Sequence, residues 1–133
     1  MTPETATAPD FPSAPVVTGG VERLHVTWTA PNDGGRPITS YGVRYRPVGA
    51  VTWSCAAGTA PACATGSTAA VADVAPWPAP LAGGRYEVQI MAVNALGTGL
   101  WGPSGTAVVS PLTQTASVAS SVVYPFVDGY RDT

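Results

Sequence analysis

Charge is scarce in this 133-residue chain: six basic and eight acidic residues leave a formal net charge of −2. Such a chain offers no basic stripe to neutralise phosphates, which argues against nucleic-acid binding. Histidine occurs once, at His25, and cysteine twice, at Cys55 and Cys63. That set cannot fill a four-ligand zinc site, and the spacing of the two cysteines is not that of a C-x-x-C redox motif. No apolar run approaches the ~18 residues needed to cross a membrane as a helix. The opening MTPETATAPDFPSAP lacks the basic start and apolar stretch of a secretory leader, so an exported parent would carry its leader outside this sequence. No Ser sits in a G-x-S-x-G elbow, and no glycine-rich phosphate loop joins a strand to a helix. The acidic residues Glu4, Glu22, Asp33, Asp73, Glu87 and Asp128 are scattered and suggest no catalytic pair. DGYRD, at 128–132, falls short of calcium-loop spacing. No enzyme activity, cofactor or metal is expected.

Proline and glycine, in contrast, are abundant, with 14 and 15 copies. They interrupt every candidate for apolar spacing at helical period, so many short strands are expected instead. VERLHVTWT alternates Leu24, Val26 and Trp28 against Arg23, His25 and Thr27. ITSYGVRYR alternates Tyr41, Val43 and Tyr45 against Gly42, Arg44 and Arg46, and RYEVQIMAV alternates Tyr86, Val88, Ile90 and Ala92 against Arg85, Glu87, Gln89 and Met91. Each pattern describes a strand with one dry and one wet face. Shorter candidates are 15–18, 51–55, 68–74 and 106–109. Seven such strands, separated by turn residues, predict an all-β, immunoglobulin-like β-sandwich. The predicted core is Trp28, Tyr45, Tyr86, Val43, Val88 and Ile90. Between the first two long strands, PNDGG makes a corner: Asn32 and Asp33 suit turn hydrogen bonds, and Gly34 and Gly35 suit positive φ. Residues 1–12, rich in Pro, Thr and Ala, are expected to be disordered. A domain is expected over 13–110, and 111–133 is expected to be a linker and the truncated start of a further β domain, disordered on its own.

W-x-x-P-x-D-G-G-x-P-I-x-x-Y-x-V-x-Y, from Trp28, resembles the B–C region of a fibronectin type III domain. YEVQIMAVNALGTG resembles its F strand and F–G turn, with Tyr86, Ala92, Asn94 and Gly97 on the family pattern. WGPSG resembles the usual start of strand G. The resemblance covers roughly residues 13–110 and implies strands A, B and E facing C′, C, F and G. It also implies a binding or spacer role rather than catalysis. The stretch before Tyr86 is longer and richer in proline than the family's L-x-P-x-T-x-Y, so either Val74-Ala75-Pro76 or Leu81 fills the corner. In both cases the Tyr86 hydroxyl is expected to bond the corner backbone. The W-x-C…C insertion resembles modules of secreted bacterial proteins.

Cys55 and Cys63 are expected to form a disulfide, which would imply an oxidising compartment; two free thiols are the alternative. Trp53, Trp101 and Trp77 are expected outside the core. Trp53 and Trp101, with Arg44, Arg46 and Gln89, outline a candidate binding face for a protein or a sugar; the plainer reading is that each ring covers a sheet edge or loop. The expected role is a non-catalytic extracellular binding or spacer module of a larger secreted or cell-surface protein. The alternative is a carbohydrate-binding accessory of a polysaccharide-degrading enzyme, for which the tryptophan faces would have to be open. Expected partners are neighbouring domains of the same chain and, beyond them, a protein or a polysaccharide, with no nucleic acid and no membrane insertion. The module is expected to be a monomer.

Overall fold

A computed structural model describes residues 5–76 and 80–111. Trp77, Glu4 and the tail that holds Asp128 lie outside the described residues. Eight strands follow in order: β1 Val16–Gly19, β2 Leu24–Thr27, β3 Ile38–Pro47, β4 Ser54–Cys55, β5 Val71–Val74, β6 Gly84–Asn94, β7 Gly97–Thr98 and β8 Gly105–Val109. One sheet has the order β1-β2-β5; the other has β4-β3-β6-β7, with β8 also pairing β6. The pairings between these strands are antiparallel, a single parallel bridge joins Val21 and Ser110, and no helix occurs among the described residues. β7 and β8 are two parts of one seventh strand. Between them Gly99 and Gly102 still donate to the carbonyls of Ala92 and Ile90 on β6, and Pro103, which has no N–H, interrupts the ladder.

The alternating faces meet as the period requires. Leu24, Val26, Val43, Val74, Val88, Ile90, Ala92 and Val109 are buried in one cluster with Trp28, Tyr41, Leu81 and Tyr86. Trp28 and Tyr41 meet edge to face, 5.2 Å between ring centroids. Tyr45 departs from expectation: it packs against the cluster but stays only half-buried. β3 has ten residues, while the facing strands β2 and β5 have four each, so the end of β3 runs past the opposite sheet. Both Val74 and Leu81 enter the core, and the Tyr86 hydroxyl donates to the Ala82 carbonyl at 2.9 Å. In the corner, Asn32 and Asp33 accept from the amides of Gly34 and Gly35, at φ values of 76° and 102°.

Residues 5–12, for which disorder is expected, lie against the domain. Thr7 donates to Gly34, Asp10 donates to Asn32, and Pro9 and Pro12 are buried. Composition alone does not reveal this docking, because the surface comes from residues distant in sequence: Asn32 and Gly34, and Asn94, which donates to the Thr7 carbonyl.

Candidate functional site

The outer face of the larger sheet is built by register. Arg44 on β3 pairs with Gln89 on β6, and Arg46 pairs with Glu87. Residues directly opposite on one face stand close enough for long side chains to meet. Arg44 Nε donates to Gln89 Oε1 at 2.8 Å, and Arg44 Nη2 donates to the same oxygen. Arg46 Nε donates to Glu87 Oε2 at 3.0 Å, and the Ser104 hydroxyl donates to the other carboxylate oxygen at 3.1 Å.

Above this polar row lies a stack. The Arg44 guanidinium lies 4.4 Å from the Trp53 ring centroid and 4.2 Å from that of Trp101. Arg46 lies 4.1 Å from the Trp53 ring. Trp101, Arg44, Trp53 and Arg46 therefore follow one another as ring, cation, ring, cation. β4 brings Trp53 beside β3, and the irregular run between β7 and β8 turns Trp101 onto the same face. Guanidinium groups suit this position because they are planar and weakly hydrated. Burial, and then the charge of neighbouring Arg46, pull the Arg44 pKa below its ordinary value, but a guanidinium stays protonated at any physiological pH.

The structure thus brings together the five residues of the candidate face. It also stacks Trp53 with two guanidinium groups and Trp101 with one, while Trp101 lines a small open pocket with Pro61, Ala62, Met91, Thr98 and Gly99. Both rings are half-buried.

Met91, expected on the wet face, is 3 % exposed. The cause is the segment between the cysteines. Cys55 and Cys63 are bridged, with Cα atoms 4.9 Å apart, and the chain around Cys63 returns along β3. Cys63 accepts from the Val43 amide, and Thr65 donates to the Tyr41 carbonyl. Its partner surface is Gly42, which lies opposite Met91: a β-carbon on Gly42 would fall 2.2 Å from the Ala62 carbonyl oxygen and 2.9 Å from Met91 Cε. A glycine inside an otherwise regular strand signals such a close approach of backbone, and that signal was present in the sequence.

The remaining candidates are scattered. His25 Nδ1 lies 2.7 Å from Asp73 Oδ1, both well exposed on the smaller sheet, where such a pair contributes little. Asn94, 3 % exposed, donates to the carbonyls of Thr7 and Asp33 and accepts from the Leu96 amide. Among the described residues no three His, Cys, Asp or Glu side chains gather as a metal site.

A model of the family described as fibronectin type III domain matches residues 12–108. No curated protein matches the chain. A crystal structure of domains from titin matches with a TM-score of 0.63 at 22% identity, over 80% of this chain and 33% of that one. The twitchin kinase region from C. elegans matches with a TM-score of 0.62 at 22% identity, over 78% and 17%. The solution structure of the fibronectin type III domain of human fibronectin type III domain containing protein 3 matches with a TM-score of 0.59 at 17% identity, over 87% and 99%. The chain spans a third or less of the titin and twitchin chains, and at these identities the likeness shows the fold.

Proposed function

This chain belongs to the fibronectin type III family, whose domains are generally non-catalytic modules of larger proteins, and from that membership we propose that it serves as an extracellular spacer or binding module. It catalyses nothing itself and sits in line between neighbouring parts of a secreted or cell-surface protein. The observation that carries the spacer role is the path of the backbone. The polypeptide comes in beside Asn94, where Thr7 is held. It leaves past Val109, which pairs with Gly84. Gly84 and Asn94 are the two ends of β6, about 33 Å apart at ~3.3 Å per residue. A module threaded end to end in this way separates what it joins by its full length.

The Cys55–Cys63 bridge supports the extracellular part, since structural disulfides persist in oxidising compartments. Thiol titration of the denatured protein from its natural source tests this part. No reactive thiol is expected, and two equivalents of label would overturn it. The in-line role is tested by small-angle scattering of the chain with its natural neighbours: an extended arrangement is expected, and a folded-back one, with both neighbours at the same end, would sink it.

A further inference from the structure

Prolines recur every third residue at Pro9, Pro12 and Pro15, and glycines recur every third residue at Gly99, Gly102 and Gly105. The structure sets the two series side by side in the same direction. A β-carbon on Gly99 would lie 2.3 Å from the Pro9 carbonyl oxygen, one on Gly102 2.2 Å from that of Pro12, and one on Gly105 2.3 Å from that of Pro15. Real side chains never approach backbone so closely, so any other residue at these positions would force the segments apart.

The match has a physical basis. Three residues advance about 9 Å in a polyproline-type segment and about 10 Å in a strand, so the contacts stay in step over two repeats. Pro9, Pro12 and Pro15 are all buried, whereas Asp10, Phe11, Ser13 and Ala14 are exposed. Proline has no N–H, so its burial against a partner that offers no ladder leaves no donor unsatisfied. Its fixed φ also lowers the entropy lost when the segment is ordered. Hydrogen bonds then hold the far end: Thr7 to Gly34, Asp10 to Asn32 and Asn94 to Thr7.

We infer that Gly99, Gly102 and Gly105 form a receptor groove for an extended P-x-x-P-x-x-P segment, and that residues 5–15 occupy it as a stiff strap. The polypeptide coming into the domain is thereby held in a fixed direction along the last strand. This rests on the spacer reading for its biological use, but the strap itself does not. Whatever lies ahead of residue 5 in a longer protein would inherit that direction.

Backbone ¹⁵N relaxation of the whole chain tests the strap directly. Amides of Thr7, Asp10, Phe11 and Ser13 are expected to show order parameters near the ~0.85 of rigid backbone. In Gly99→Ala, whose β-carbon would fall 2.3 Å from the Pro9 carbonyl oxygen and 3.3 Å from that of Ala92, Thr7 and Asp10 are expected to fall below about 0.6, while Val88 and Ile90 stay rigid. Values below about 0.6 in the unaltered chain would overturn the strap, as would a folded Gly99→Ala variant with Thr7 and Asp10 still rigid. If that variant does not fold, the unaltered chain alone decides. A mobile strap would leave the in-line spacer reading intact, because the scattering experiment tests that separately.

Discussion

Arg44 stands directly opposite Gln89 across two central strands, and its guanidinium donates to the Gln89 side-chain oxygen Oε1 while lying between two tryptophan rings. A lysine could supply the charge here but neither the plane nor the fork of donors. Arg44→Lys is therefore expected to lose about 1–2 kcal/mol in urea unfolding, close to the loss from Arg44→Met. Wild-type stability in the lysine variant would show that charge alone is at work.

Removing the Tyr86 hydroxyl should cost about 1 kcal/mol. It donates to the Ala82 carbonyl and closes the connection into β6. Tyr86→Phe keeps the ring in the core, so a lower urea midpoint at unchanged slope is the expected result. An unchanged midpoint would mean that water replaces the bond without loss.

The Cys55–Cys63 bridge both stabilises and shields. Replacing both cysteines by alanine should cost about 2–3 kcal/mol by the chain-entropy account. The bridge also holds the segment that covers Met91. Under mild peroxide, Met91 is expected to oxidise far more slowly than free methionine in the same solution while the bridge is intact, because access governs sulfoxide formation. Reduction should narrow that difference, as read by peptide mass spectrometry. Equal rates before and after reduction would show that the cover does not depend on the bridge.

Alkaline pH should unfold the domain through its half-buried and buried phenols. Burial raises the pKa of Tyr41, and burial followed by the proximity of Tyr86 raises that of Tyr45. Groups with raised folded-state pKa values contribute stability that is complete below the ordinary value of 10.0. It is lost as the pH climbs through the folded-state values. Urea midpoints are expected to be insensitive to these two groups below pH 9 or so and to fall above pH 10, and Tyr41→Phe should flatten the fall. A midpoint that drops equally in that variant would assign the effect elsewhere.

The alternation of Leu24, Val26 and Trp28, and of Tyr86, Val88 and Ile90, could be read in advance because strand faces repeat every two residues. The corner at Asn32–Gly35 could be read because turn chemistry is local. Arg44, Arg46 and Gln89 could be assigned to one wet face on the same ground. What could not be read was the stack. It needs β4 to bring Trp53, the broken last strand to bring Trp101, and a register that sets Arg44 against Gln89 rather than against a residue two places away. Tyr45 was misjudged because burial depends on how far the opposite sheet reaches. Met91 was misjudged because a loop folded onto the face that its strand presents to solvent.

By itself, then, the sequence determined the layers, the alternating faces that carry Trp28 and Tyr86 inward, and the Asn32–Gly35 corner, since each follows from the preferences of neighbouring residues. Only the tertiary structure decided which distant backbones come into contact. Gly42 under Ala62, and Gly99, Gly102 and Gly105 along Pro9, Pro12 and Pro15, are places where the missing side chain matters only once the partner arrives. A local pattern can show that room has been left. What fills the room depends on the path of the whole chain, because contacts across many tens of residues are set by sheet register and loop closure rather than by the preferences of either segment alone.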